Sequence, residues 1–305
     1  MDEKKITISE EAKRDIELIE MRPRINEFRR FLKVFLGRPV VIIGSIIILI
    51  FLILATVPDL IAPYDPLKQD LTKVLLEPSK EHLLGTDSLG RDLLSRIIHG
   101  ARTALIIAIS AITIAFIIGT MLGLVAGYSG GLTNSVIMRF IDALMAFPGI
   151  LLALTIVAVL GGGMLTVIIA LGVNSITAYA RVMCAQALSI RENDYVLAAR
   201  TLGSSKNRVM LVHVLPNALP PMIVVSTISV GMTILAEATL SYLGIGLREP
   251  IIAWGSLVNV GQAYLLSYPL LSLAPGIAIM LVVFGFNMVG DGLRDALDPR
   301  LRGII

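Results

Sequence analysis

Polar side chains set inside long apolar runs are the first places where this chain could do chemistry, and Asp142, Asn174 and Glu237 stand out. An ionisable group at membrane depth costs roughly 3 kcal/mol even on lenient insertion scales, so it normally faces protein or water. Asp142 therefore either caps a helix or pairs with Arg139 at the interface, or it lines a polar path. Glu237 either lines such a path or makes a hydrogen bond to another subunit. Asn174, beside Ser175, can line a path or simply let two helices approach closely. Catalysis has less support. His82, His99 and His213 lie far apart without ligand spacing, the single cysteine, Cys184, has no internal disulfide partner, and no nucleophile and base sit at mutually suggestive positions. A Gly-x-x-x-x-Gly-Lys-Ser/Thr loop that would cradle phosphates is missing. The expectation is no catalytic residue, no metal and no cofactor on this chain.

Docking is the chemistry that a second stretch suits. The run Asp194-Tyr195-Val196-Leu197-Ala198-Ala199-Arg200-Thr201-Leu202-Gly203 is followed by His213-Val214-Leu215-Pro216-Asn217, all within a loop spanning 184–213. Asn193 or Asp194 can accept from the free amides at a helix start. Tyr195, Ala198, Ala199 and Leu202 recur at three- and four-residue steps along one side, and Gly203 can take the left-handed stop. Small alanines would let a partner's backbone come close. Local physics leaves two readings open: a knob that docks into a partner, and an interfacial helix that closes the bundle.

The elements that position these residues are set by composition. Of 305 residues 55% are hydrophobic and only 16% charged, with a mean hydropathy of +0.83, which places the chain among integral membrane proteins of all-α class. The small net charge of +3 carries no aromatic-interleaved basic patch, and nucleic acid is not an expected partner. Uncharged runs give six crossings: 40–57, 104–127, two from the long run 143–180 divided at Gly161-Gly162-Gly163, 214–240, and 270–289. The first run is too long for a cleaved leader and reads as a retained anchor. Six crossings put both termini on one side. Most lysines and arginines fall inside if that side is the cytoplasm; Lys68, Lys73, Lys80, Arg91, Arg96, Arg102 and Arg248 fall outside.

Residues 1–39 form a solvated arm whose Phe28, Phe31, Leu32, Phe35 and Leu36 recur at helical spacing, either as an interfacial helix or as an extension of the first span. Residues 58–100 form an extracytoplasmic segment, 101–290 the core, and 291–305 a cytoplasmic tail. Within the outer segment, His82 to Arg102 reads as a lid or docking surface, or as a helix lying on the membrane before the second span.

Several motifs in order resemble one family. The loop is similar to the cytoplasmic signature of ABC-importer permeases, a Glu-Ala-Ala then Gly pattern ending in Leu-Pro, matched by Ala198, Ala199, Gly203, Leu215 and Pro216. His82-Leu83-Leu84-Gly85-Thr86-Asp87-Ser88-Leu89-Gly90-Arg91-Asp92, Arg139-Phe140-Ile141-Asp142 with Ala146-Phe147-Pro148, Ile234-Leu235-Ala236-Glu237-Ala238, and the segment Gly290 to Arg300 resemble the C-type permease subunit of dipeptide, oligopeptide and nickel importers. The likeness runs from about residue 38 to 302.

That resemblance implies a type I ABC importer permease fold with six transmembrane helices in a bacterial or archaeal cytoplasmic membrane. It implies a second homologous permease subunit, two cytoplasmic ATPase subunits that carry the ATP and magnesium, and an extracytoplasmic solute-binding protein, all in membrane lipid. Tyr195, Leu197, Ala198, Ala199, Leu202, Gly203, Leu215 and Pro216 would couple to an ATPase. Peptides are the default solute, with nickel complexes, glutathione and oligosaccharides among the subfamily's cargoes. Leu197 holds the signature's acidic position, which shifts the expected contact from charge to shape, and the segment Arg248 to Ala253 departs from the family's proline placement before Trp254. The competing readings are a stand-alone secondary transporter, which would want intramembrane charges in broken helices, and an intramembrane enzyme.

Overall fold

The computed structural model describes residues 27–297, with side chains from residue 31 onward, and within that range all regular secondary structure is helical apart from one isolated bridge between Thr86 and Asp92. The elements are α1 (Glu27–Leu36), α2 (Pro39–Thr56), α3 (Pro58–Ile61), α4 (Leu93–Ser129), α5 (Gly131–Met145), α6 (Gly149–Leu160), α7 (Met164–Ile190), α8 (Asp194–Thr201), α9 (Lys206–Arg208) running through a π-turn (Val209–Val214) into α10 (Leu215–Tyr242), then α11 (Trp254–Gln262) and α12 (Leu270–Leu297). Most of the arm 1–39 and the end of the tail 291–305 lie outside the described residues. Helix α1 is separate from α2: Gly37 and Arg38 break the chain, and Pro39 at the first helical position starts α2 with its φ already set. Arg38 is held to α12 by a 2.5 Å ion pair with Asp295.

Helices α2, α4, α7, α10 and α12 are each long and apolar enough to cross a membrane. The third crossing differs from its expected form. The uncharged run beginning at Ala143 starts on α5, and the chain bends by 83° between α5 and α6. Pro148 forces this, since it disfavours helical backbone at Phe147 and brings no N–H of its own. Helix α6 has 12 residues, about 18 Å at ~1.5 Å per residue, against a hydrocarbon core of about 30 Å. Only together, as a bent pair, are α5 and α6 long and apolar enough to count as a crossing, in place of the expected straight helix.

The most extensive packing joins α4 to α7. Gly119, Gly123 and Gly127 fall four residues apart on α4, and a methyl on Gly119 would lie 2.5 Å from the Tyr179 Cβ, one on Gly127 2.5 Å from the Cys184 carbonyl oxygen. Bare backbone lets the two helices touch where lipid offers no hydrophobic drive to pull them together. Helix α4 has 37 residues, about 55 Å at ~1.5 Å per residue, and outruns the membrane core. Its first three turns, Leu93 to Arg102, continue the second span directly, in place of the expected separate helix lying on the membrane. Helix α12 likewise continues past 290 to Leu297.

Candidate functional site

Helix α8 lies across the end of the bundle at which α4 and α7 finish. Val196 is 0% exposed and joins Ile190, Val209, Val214, Ala218 and Met222 in one apolar cluster, so a single side chain fastens α8 to α7 and to the start of α10. Ala199, three residues on, is half-buried against the same cluster. The expected four-residue face is thus split: Tyr195, Ala198 and Leu202 point outward with Leu197, while Ala199 turns in. Leu202 is 87% exposed.

The ends of α8 are set by backbone. The Asn193 carbonyl accepts from the Val196 and Leu197 amides, but neither Asn193 nor Asp194 makes a side-chain cap, contrary to the sequence expectation. At the other end Gly203 has φ +83°, the Ser204 N–H donates to the Ala199 carbonyl at 3.1 Å and the Gly203 N–H to that of Arg200 at 3.0 Å. This is the paired closure that a left-handed residue permits. Arg191 secures the neighbouring turn, its Nη1 donating to the Gly127 carbonyl at 2.9 Å. Beyond α9, the π-turn widens the helix just before Pro216, which has no N–H for a regular ladder. Leu215 packs against the core cluster, while Pro216 is exposed and lines a cavity of about 690 Å³ with Gln186, Asn217 and Arg294.

The membrane-depth polar residues fall elsewhere. Asp142 lies near the end of α5 and accepts from Arg181 Nη2 of α7 at 2.6 Å; its partner is Arg181, not Arg139. Asn174 sits half-buried on α7 with its carboxamide over Gly149, where an added Cβ would come within 2.5 Å of Oδ1, so it packs the head of α6 onto α7. Glu237 is 1% exposed and accepts from Ser241 Oγ at 2.7 Å. Enclosed by its own chain, it neither lines an open path nor faces another subunit.

At the opposite end a charged cluster fixes the outer segment. Asp87 accepts from Arg91 Nε at 2.7 Å, and Glu249, on the loop between α10 and α11, accepts from Arg91 Nη1 at 2.7 Å and Arg96 Nη2 at 3.2 Å. Burial pushes the Glu249 carboxyl up, but the hydrogen bonds and charges of Arg91 and Arg96 outweigh it and hold it below the ordinary value. His82 Nδ1 lies 2.9 Å from Asp92, which also caps α4 by accepting from the Ser95 N–H. Trp254 Nε1 donates to the Ile97 carbonyl at 2.8 Å and fills the space above Gly100.

Residues 119–303 match the family described as the binding-protein-dependent transport system inner membrane component, and residues 26–78 match the N-terminal transmembrane domain of oligopeptide transport permease C. The chain belongs to this family of permeases. The permease is 39% identical to the dipeptide transport system permease protein DppC of Alkalihalophilus pseudofirmus, over 91% of both chains. It is 38% identical to the glutathione transport system permease protein GsiD of Pectobacterium atrosepticum, covering 90% of this chain and 92% of that one. It is also 38% identical to the oligopeptide transport system permease protein OppC of Bacillus subtilis, covering 88% of each. Among solved structures, the MetNI methionine ABC transporter in inward facing conformations aligns with a TM-score of 0.55 at 18% identity, over 68% of this chain and 98% of that one. The fold is that of a type I ABC importer permease, and the stand-alone transporter reading falls with it. The protein is a multi-pass component of the inner membrane.

In the permease, two groups of residues escaped the sequence. Val196 anchors α8, and its signal was the three-residue step to Ala199 on the face opposite Ala198. Arg181 meets Asp142 across 39 positions and Arg91 meets Glu249 across 158, separations that no local pattern announces.

Proposed function

We propose that this permease forms half of the translocation pathway for peptides or peptide-like solutes, with α8 as its coupling helix on a cytoplasmic ATPase subunit. The observation that carries the reading is the division of labour on α8: Val196 and Ala199 bind it to the bundle, while Tyr195, Leu197, Ala198 and Leu202 stand clear of the chain. A helix that only closed the bundle would turn its leucines inward, because a leucine left in water forgoes about 2 kcal/mol of burial. The α8 end, with both termini, faces the cytoplasm; the cluster around Arg91 faces out, where a solute-binding protein delivers cargo. A second permease completes the pathway, and two ATPase subunits carry the ATP and magnesium. The peptide class follows from the dipeptide, oligopeptide and glutathione permeases to which this chain is similar.

Site-directed crosslinking tests the coupling. Cys184 is the one native cysteine and is buried, so a thiol introduced by Leu202→Cys is the reactive one in the assembled transporter. That variant should crosslink to the ATPase, with a yield that changes on adding ATP, whereas Leu266→Cys at the opposite end should not. Equal absence of crosslinks at both positions would refute the assignment.

A further inference from the structure

Among the charged groups outside α8, Arg91 and Arg96 are unusual in being buried side by side with donors to spare. Both guanidinium groups are 4% exposed. Arg96 Nε and Nη1 make no hydrogen bond, although Nη1 lies 3.3 Å from Asp87. The carboxylate that answers them is incomplete as a partner. Glu249 offers only Oε1, shared between Arg91 and Arg96, and its side chain is 58% exposed on the loop between α10 and α11. Buried charge pairs are normally saturated, with arginine favouring a two-point fit to a carboxylate.

We infer that Arg91 and Arg96 form a receptor for a carboxylate at the outer end of the permease, in which Glu249 is the resting occupant and an acidic side chain of the binding protein its replacement. This rests on the permease reading given above. Charge complementarity identifies the occupant: Asp87 neutralises one guanidinium from within, and withdrawal of Glu249 leaves one positive charge unanswered beside the unbonded, buried Arg96 donors. Exchange would release the loop joining α10 to α11, so docking outside would reach two helices of the bundle directly.

The test uses the full chain in nanodiscs of zwitterionic lipid and a fluorescent hexaglutamate peptide as probe. Glu249→Ala should bind it about tenfold more tightly than the wild type, the affinity should fall as salt is raised, and hexalysine should show no gain. Glu249→Asp, which keeps the charge but shortens the reach, should fall between the two and serves if the alanine variant proves unstable. Equal hexaglutamate affinity in the wild type and a folded Glu249 variant would overturn the inference. The α8 crosslink to the ATPase is independent of this site: its presence alongside equal affinities sinks the receptor alone, and its absence sinks the coupling reading of α8.

Discussion

Adjacent alanines on α8 separate docking from folding. Ala198 is exposed and Ala199 is half-buried against the cluster that holds Val196. Ala198→Arg adds a long charged side chain on the outer face and leaves that anchor alone, so the variant should insert and keep its thermal stability while ATPase co-purification falls at least about tenfold, equivalent to about 1.4 kcal/mol. Ala199→Arg should lose both, because its side chain must lever α8 off the bundle before it can reach solvent. Matching stability losses in the two variants would show that the split between faces is wrong. Gly203 adds a third kind of effect. A Cβ there meets nothing within 4 Å, so Gly203→Val costs only the left-handed backbone of a β-branched residue, about 1–2 kcal/mol. The expected result is a misdirected α8 with weakened ATPase association in a chain that still folds.

Helix packing rests on the α4 stripe. Gly123 presses against the Ala180 carbonyl of α7, while Gly276 on α12 has nothing within 4 Å. Gly123→Leu should therefore part the two helices at a cost of roughly 3 kcal/mol, the upper end for overpacking, and lower the yield of folded protein. Gly276→Leu should be silent; equal yields from both would deny the stripe its role. The elements themselves were largely legible: α2, α10 and α12 follow uncharged runs, and Gly203 announced the end of α8. The α5–α6 bend was hidden because the run is equally apolar on both sides of Pro148. The outward extension of α4 was hidden because the charges of His82 to Arg102 suited a surface helix or lid as well as a continuous span, and the long-range partner of Arg96, Glu249, is 153 positions away.

Across the whole molecule, the outer cluster ties segments that sequence proximity cannot connect, and its chemistry makes a pH dependence. Glu249 has a folded value below its ordinary 4.5. A carboxyl so depressed contributes stability fully above its unfolded value, and that contribution disappears as pH falls through the folded one. The difference in melting temperature between wild type and Glu249→Ala should accordingly be largest near neutral pH and shrink below about 4.5, since the protonated carboxyl no longer answers Arg91 and Arg96. Other carboxylates titrate in both proteins and cancel in the difference. Trp254 is the single tryptophan, buried at the end of the loop that carries Glu249, so its fluorescence reports the transition where the clasp acts. A melting difference that stays constant from pH 7 to pH 4 would mean that Glu249 is a bystander, and that α4 is joined to the α10–α11 loop by Trp254 and its neighbours alone.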